Sequence, residues 1–112
     1  MEPMEEFEFI VVGGGSAGCV LANRLSADPK NRVLLLEAGP EDTSFWIHVP
    51  LGYGKTIRDP RVNWLFESKP EPGLGGRRDF LARGKVLGGS SSINGMIYMR
   101  GQPRQPSWAQ WS

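Results

Sequence analysis

The sequence predicts an α/β fold that opens with one βαβ unit and continues into a long loop-rich segment. Three observations carry this reading. Two short apolar runs, Ile10-Val11-Val12 and Val33-Leu34-Leu35-Leu36, flank a stretch with helical periodicity. A glycine pattern, Gly13-x-Gly15-x-x-Gly18, lies between the first run and that stretch. The 112 residues include 15 Gly and 9 Pro, well above average usage, with no every-third-residue glycine and no sustained helical pattern. Coiled coil, helical bundle and collagen are excluded on those grounds.

Each element follows from local chemistry. Residues 8–12 read as a strand, because an apolar run without alternation suits a parallel strand covered on both faces. Gly13-Gly14-Gly15 ends it. A helix fits Ser16 to Leu25, with Ala17, Val20, Leu21 and Leu25 forming one apolar stripe. Asp28-Pro29 stops the helix. The second strand starts at Arg32 and runs through Leu36, with Glu37 at its carboxyl end. From 40 to 82, prolines at 40, 50, 60, 70 and 72 punctuate the chain, and the prediction is short extended pieces and turns. The ten-residue proline spacing has no repeat around it and is read as chance. Residues 83–95 form a second glycine and hydroxyl cluster, and Met96-Ile97-Tyr98-Met99 is predicted as a strand.

Composition excludes several functions. Thirteen Lys and Arg against twelve Asp and Glu give a net charge of +1, without the basic excess of a nucleic-acid module. No apolar run reaches the ~18 residues of a membrane span. The acidic start, Met1-Glu2-Pro3-Met4-Glu5-Glu6, is unlike a signal peptide. A cytoplasmic location is the expectation, and membrane association is left open. Cys19 is the sole cysteine, so no intrachain disulfide forms, and it reads as a small packing residue.

The first glycine pattern has a physical reading. Gly13 permits a tight strand-to-helix turn, Gly15 lets backbone lie against a pyrophosphate, and Gly18 lets the helix pack closely on the strand. The helix N-terminus then offers free N–H groups to phosphate, and Ser16 adds a hydroxyl. Glu37, 19 residues beyond Gly18, is placed to accept from ribose hydroxyls. A carboxylate there repels a 2′-phosphate and so argues against NADP, but it does not separate FAD from NAD. The bland alternative is a glycine turn with a surface glutamate.

The second cluster runs Arg83-Gly84-Lys85-Val86-Leu87-Gly88-Gly89-Ser90-Ser91-Ser92-Ile93-Asn94-Gly95. Val86, Leu87 and Ile93 oppose a flexible-linker reading. A Walker A reading fails, because Val86 follows Gly84-Lys85 where Ser or Thr is required. Close backbone approach with hydroxyl and amide donors suits a long polar ligand.

With Leu36-Glu37-Ala38-Gly39 and Asn63-Trp64, these two motifs resemble the N-terminal part of a glucose–methanol–choline oxidoreductase, of the bacterial choline and alcohol dehydrogenase branch. The resemblance covers about residues 7 to 103. It implies a partial Rossmann-like FAD-binding domain, incomplete on its own. Residues 1–112 would be its N-terminal portion, 102–112 a divergent tail, and the substrate domain would lie outside this chain. The family oxidises an alcohol to a carbonyl and passes hydride to FAD, so the implied partner is a small-molecule alcohol.

The resemblance also implies residue roles. Gly13, Gly15, Ser16 and Ala17 face the pyrophosphate, and Glu37 holds the adenosine ribose. Val86 lies near the adenine through its backbone. Ser90, Asn94, Gly95, Met96 and Ile97 follow the pyrophosphate and flavin. Gly18, Ala38 and Gly89 complete the cofactor-binding set. Some members attach FAD to a His immediately before the motif's Asn. Ile93 stands there, so noncovalent FAD is expected. The catalytic His lies downstream in the family, so His48 reads as a loop residue, and no catalytic or metal-ligating residue is expected here. The segment alone is expected to be inactive and unstable. The alternatives are an NAD-dependent dehydrogenase fragment and a non-catalytic FAD-binding module. Arg77, Arg78, Arg83 and Lys85 could neutralise phosphate or lie in a solvated loop, and Glu2, Glu5, Glu6 and Glu8 read as a solvated tail.

Overall fold

The computed structural model describes residues 5–99. The expected tail at 102–112 lies outside them. The βαβ unit is present. Strand β1 (Phe9–Val12) and strand β2 (Val33–Leu36) pair in parallel, Phe9 opposite Val33 and Val12 opposite Leu36. Helix α1 (Ser16–Leu25) connects them. It ends where Asn31 Nδ2 donates to the Leu25 carbonyl at 2.9 Å, satisfying one of the acceptors a helix C-terminus leaves free. Glu8, read from sequence as tail, instead accepts from the Arg32 amide through its carboxylate and fixes the entry to β2.

Residues 40–82 fold as turns and short pieces. Tight turns at Phe45–Ile47 and Pro50–Gly52 lead into the single-turn helix α2 (Tyr53–Thr56). Strands β3 (Phe66–Glu67) and β4 (Phe80–Leu81) pair antiparallel around a turn at Pro72–Leu74. An isolated antiparallel bridge then joins Asn63 to Gly84. The second glycine run closes with a tight turn at Gly89–Ser92.

Two expectations are corrected. Met96–Met99 is not a strand. Met96 takes φ 55°, which breaks an extended run, and Ile97, Tyr98 and Met99 are exposed, with no pairing of their backbone to another strand among the described residues. An unpaired strand leaves its N–H and C=O groups without protein partners, so nothing holds this stretch extended. The apolar strand β1 is also not covered on both faces. Only Val11 is buried, while Ile10 and Val12 are 59% and 81% exposed.

The core lies elsewhere. Val62, Val86 and Ile93 bury together, with Ile47 packed against them. The cluster sits between the loop-rich segment and the second glycine run. Apolar burial contributes about 25 cal/mol per Å², so the uncovered faces of β1 and α1 forgo much of the stabilisation their side chains could supply. The described residues form two small two-stranded sheets, a fold incomplete on its own. No helix among the described residues is long and apolar enough to cross a membrane.

Candidate functional site

The strand-to-helix turn is built as its spacing predicts. Gly13 takes φ +98°, a conformation that L side chains rarely adopt. A Cβ on Gly18 would lie 1.9 Å from the Gly13 carbonyl oxygen and 3.4 Å from a Val11 methyl, so the missing side chain lets α1 sit down on β1. Gly15 is different. It is the N-cap of α1, and a Cβ there would meet nothing within 4 Å. No side chain caps the helix and its first turn holds no acidic residue. The amides of the first turn therefore face open space with the positive end of the helix dipole, an arrangement suited to an anion.

Glu37 closes the turn from the end of β2. Its Oε2 accepts from the Gly14 amide at 2.7 Å and its Oε1 from the Gly39 amide at 2.9 Å. A carboxylate can accept about four hydrogen bonds, so both oxygens keep capacity for hydroxyl donors. Cys19 faces inward and its thiol donates to the Gly14 carbonyl at 3.1 Å.

The second glycine run docks onto the first. The Gly88 amide donates to the Gly14 carbonyl at 2.7 Å, and the Leu87 amide to the Pro40 carbonyl at 2.9 Å. Ser16 and Ser91 share a hydroxyl bond at 3.1 Å. Gly89, at φ +59°, presses against Gly15, and a Cβ on it would stand 2.8 Å from the Gly15 Cα. The serines are mostly committed to the loop itself. Ser91 donates to the Gly88 carbonyl and Ser92 to the Leu87 carbonyl. Ser90 accepts from the Gly84 amide at 3.0 Å and keeps its own proton to donate.

Between the two runs lies an open cleft of about 700 Å³. Of the residues expected from sequence, Gly13, Gly15, Ser16, Glu37, Ala38, Gly89 and Ser90 line it. Ala17 and Gly18 line a separate apolar hollow against β1. Val86 is fully buried in the core. Asn94, Gly95, Met96 and Ile97 line a second concavity along the 94–98 stretch.

Sequence reasoning assigned no ligand role to the aromatic part of the cleft. Trp64 and Phe66 line it, together with Arg83 and Gly84 from the second run. The rings of Trp64 and Phe66 stack at 5.7 Å, 6° from parallel, and the Lys85 ammonium lies 4.8 Å from the Trp64 ring centre. The basic cluster is thus divided. Arg83 faces the cleft, Lys85 covers an aromatic face, and Arg78 reaches the Ser68 carbonyl. Asn63-Trp64 stood out in the sequence only through family resemblance, because nothing local marks a residue fifty positions from the first motif as its neighbour. His48 is exposed beside the Asp42 carbonyl. The Arg61 guanidinium hydrogen-bonds Asp59 and holds its carboxyl below the usual range, a pair formed by residues outside the cleft lining.

The chain matches the family described as GMC oxidoreductase over residues 7–112. It is 54% identical over 105 residues to an alcohol dehydrogenase [acceptor] from Pseudomonas putida, covering 93% of this chain and 19% of that protein. It is 49% identical over 107 residues to a mitochondrial choline dehydrogenase from Homo sapiens, covering 89% and 18%. Among solved structures, pyridoxine 4-oxidase from Mesorbium loti superposes with a TM-score of 0.84 at 40% identity, over 95% of this chain and 20% of that one. An FAD-dependent oxidoreductase from Chaetomium thermophilum superposes with a TM-score of 0.68 at 36% identity, over 86% and 16%. The chain spans about a fifth of the length of the relatives it matches.

Proposed function

We propose, because this chain belongs to the GMC oxidoreductase family, that it is the N-terminal portion of an FAD-binding domain. The enzyme it serves would oxidise a primary alcohol, choline or another, to the aldehyde. The observation that carries the reading is the docking of the second glycine run onto the first, which leaves an open glycine and an uncapped helix N-terminus facing one cleft. Relatives named as alcohol and choline dehydrogenases support the substrate class, and an FAD-dependent structural neighbour supports the cofactor.

FAD, when bound, supplies the acceptor for the hydride leaving the alcohol carbon. The chain's own residues bind and orient it. The amides of Ser16 and Ala17 at the start of α1 neutralise pyrophosphate charge, with Gly13 and Gly18 setting the turn that aims them. Glu37, steadied by two backbone amides, accepts from ribose hydroxyls beside Ala38. Gly89 and the free proton of Ser90 continue the polar wall, Val86 supports it from the core, and residues 94–97 extend it towards the flavin.

Attachment is noncovalent in this reading. Ile93 offers no nucleophilic atom and its side chain is buried in the core. FAD should therefore separate from the protein on denaturation and filtration, and flavin retained with the polypeptide would overturn this point. The segment alone should not turn over alcohol, because the general base of the reaction lies outside it.

Titration with FAD and, separately, with NAD tests the cofactor. Quenching of flavin fluorescence by FAD binding is expected, with no saturable NAD binding. Saturable NAD binding with none for FAD would make the fragment belong to a nicotinamide enzyme instead.

A further inference from the structure

Two residues other than glycine take positive φ among those described, Leu65 at 53° and Met96 at 55°. Such a conformation is uncommon for any residue with a Cβ and persists only where neighbouring structure enforces it. Both positions are enforced in the same way. Each stands two residues after an asparagine whose side-chain oxygen accepts its amide. Asn63 Oδ1 takes the Leu65 N–H at 3.0 Å, and Asn94 Oδ1 takes the Met96 N–H at 2.6 Å.

The two asparagines differ in their surroundings. Asn94 is exposed, and its Nδ2 donates back to Ser91 within its own turn. Asn63 is 2% exposed and joins three segments. Its Oδ1 also accepts from the Arg83 amide at 3.0 Å, and its Nδ2 donates to the Ile57 carbonyl at 2.7 Å. Leu65 separates Trp64 from Phe66, the two stacked rings that line the cleft. Arg83, bonded to the same oxygen, lines it too.

We propose that Asn63 is a positioning residue for the cofactor cleft: one side-chain oxygen holds Leu65 left-handed and Arg83 in register, and so fixes the wall formed by Trp64, Phe66 and Arg83. The inference rests on the FAD reading above. It assigns no contact between Asn63 and the cofactor. The side chain acts through the backbone, by making a strained conformation the stable one.

The test is FAD affinity in the intact chain, with near-ultraviolet circular dichroism reporting the stacked rings without cofactor. Asn63→Ala should weaken FAD binding about tenfold, the scale of one strained backbone position released. Adding Leu65→Gly to Asn63→Ala should recover part of that loss and of the aromatic signal, because glycine takes positive φ without support while the Arg83 amide stays without its partner. Leu65→Val, which leaves every Asn63 bond available, should weaken FAD binding severalfold, since a β-branched residue resists this conformation. Should Asn63→Ala fail to fold, the Leu65→Val result still decides. Unchanged affinity in Leu65→Val, or no rescue by Leu65→Gly in a folded double variant, would overturn the proposal and leave Asn63 as a fold-stabilising residue only. Absence of FAD binding by the unaltered chain would overturn the cofactor reading and this one with it.

Discussion

The two glycine runs look alike in sequence and do different work in the structure. In residues 13–18 the glycines divide their roles. Gly13 turns the backbone, Gly18 admits the strand, and Gly15 borders open space. In residues 84–89 all three glycines are pressed against other parts of the chain. A Cβ on Gly84 would sit 2.2 Å from the Gly89 carbonyl, one on Gly88 would meet the Ser92 hydroxyl, and one on Gly89 would meet Gly15. The first run presents a surface, and the second is a clamp that holds that surface in shape. The difference teaches that glycine content alone does not locate a ligand. The informative glycine is Gly15, whose absent side chain faces nothing at the uncapped start of α1.

Substituting alanine at three positions separates these roles. The largest effect is expected at Gly18→Ala, where the new methyl meets a rigid backbone oxygen. About 3 kcal/mol of stability should be lost, read as a fall in the urea midpoint of the full-length protein that carries this segment. Gly89→Ala comes next. Its left-handed backbone and the nearby Gly15 Cα together should cost about 2 kcal/mol, and FAD affinity should fall with stability because the clamp loosens. Gly15→Ala should have the smallest effect on the fold, about 0.5 kcal/mol for the weaker N-cap, while FAD binding drops about tenfold or more. If Gly15→Ala unfolds the chain as Gly18→Ala does, or leaves FAD affinity intact, the division between presenting and clamping glycines fails.

The parts legible in the sequence were those fixed by local pattern. Continuous apolar runs bracketing an amphipathic stretch predicted β1, α1 and β2, and α1 occupies the residues its stripe marked, Ser16–Leu25. The cleft-facing turn followed from glycine spacing. The docking of Gly88 on Gly14 was not legible, since no local periodicity encodes a hydrogen bond between residues so far apart. Nor was the aromatic wall, where the Leu65 and Arg83 amides donate to the Asn63 side-chain oxygen. The stretch Met96–Met99 misled for a related reason. Its residue types favour a strand, but a strand exists only with a partner, and Asn94 offers the backbone a competing bond at Met96 instead.

The bond between Gly88 and Gly14 also has a consequence in time. A chain emerging from the ribosome at about 5–20 residues per second has β1, α1 and β2 synthesised roughly 3–11 s before residue 92 follows. During that interval the helix N-terminus exists without the loop that shapes its cleft. Closing so long a loop is entropically costly, although the cost grows only slowly with length. On the FAD reading proposed above, a cofactor met early in synthesis would find half a cradle, with capture waiting on the arrival of the Gly88–Gly89 turn.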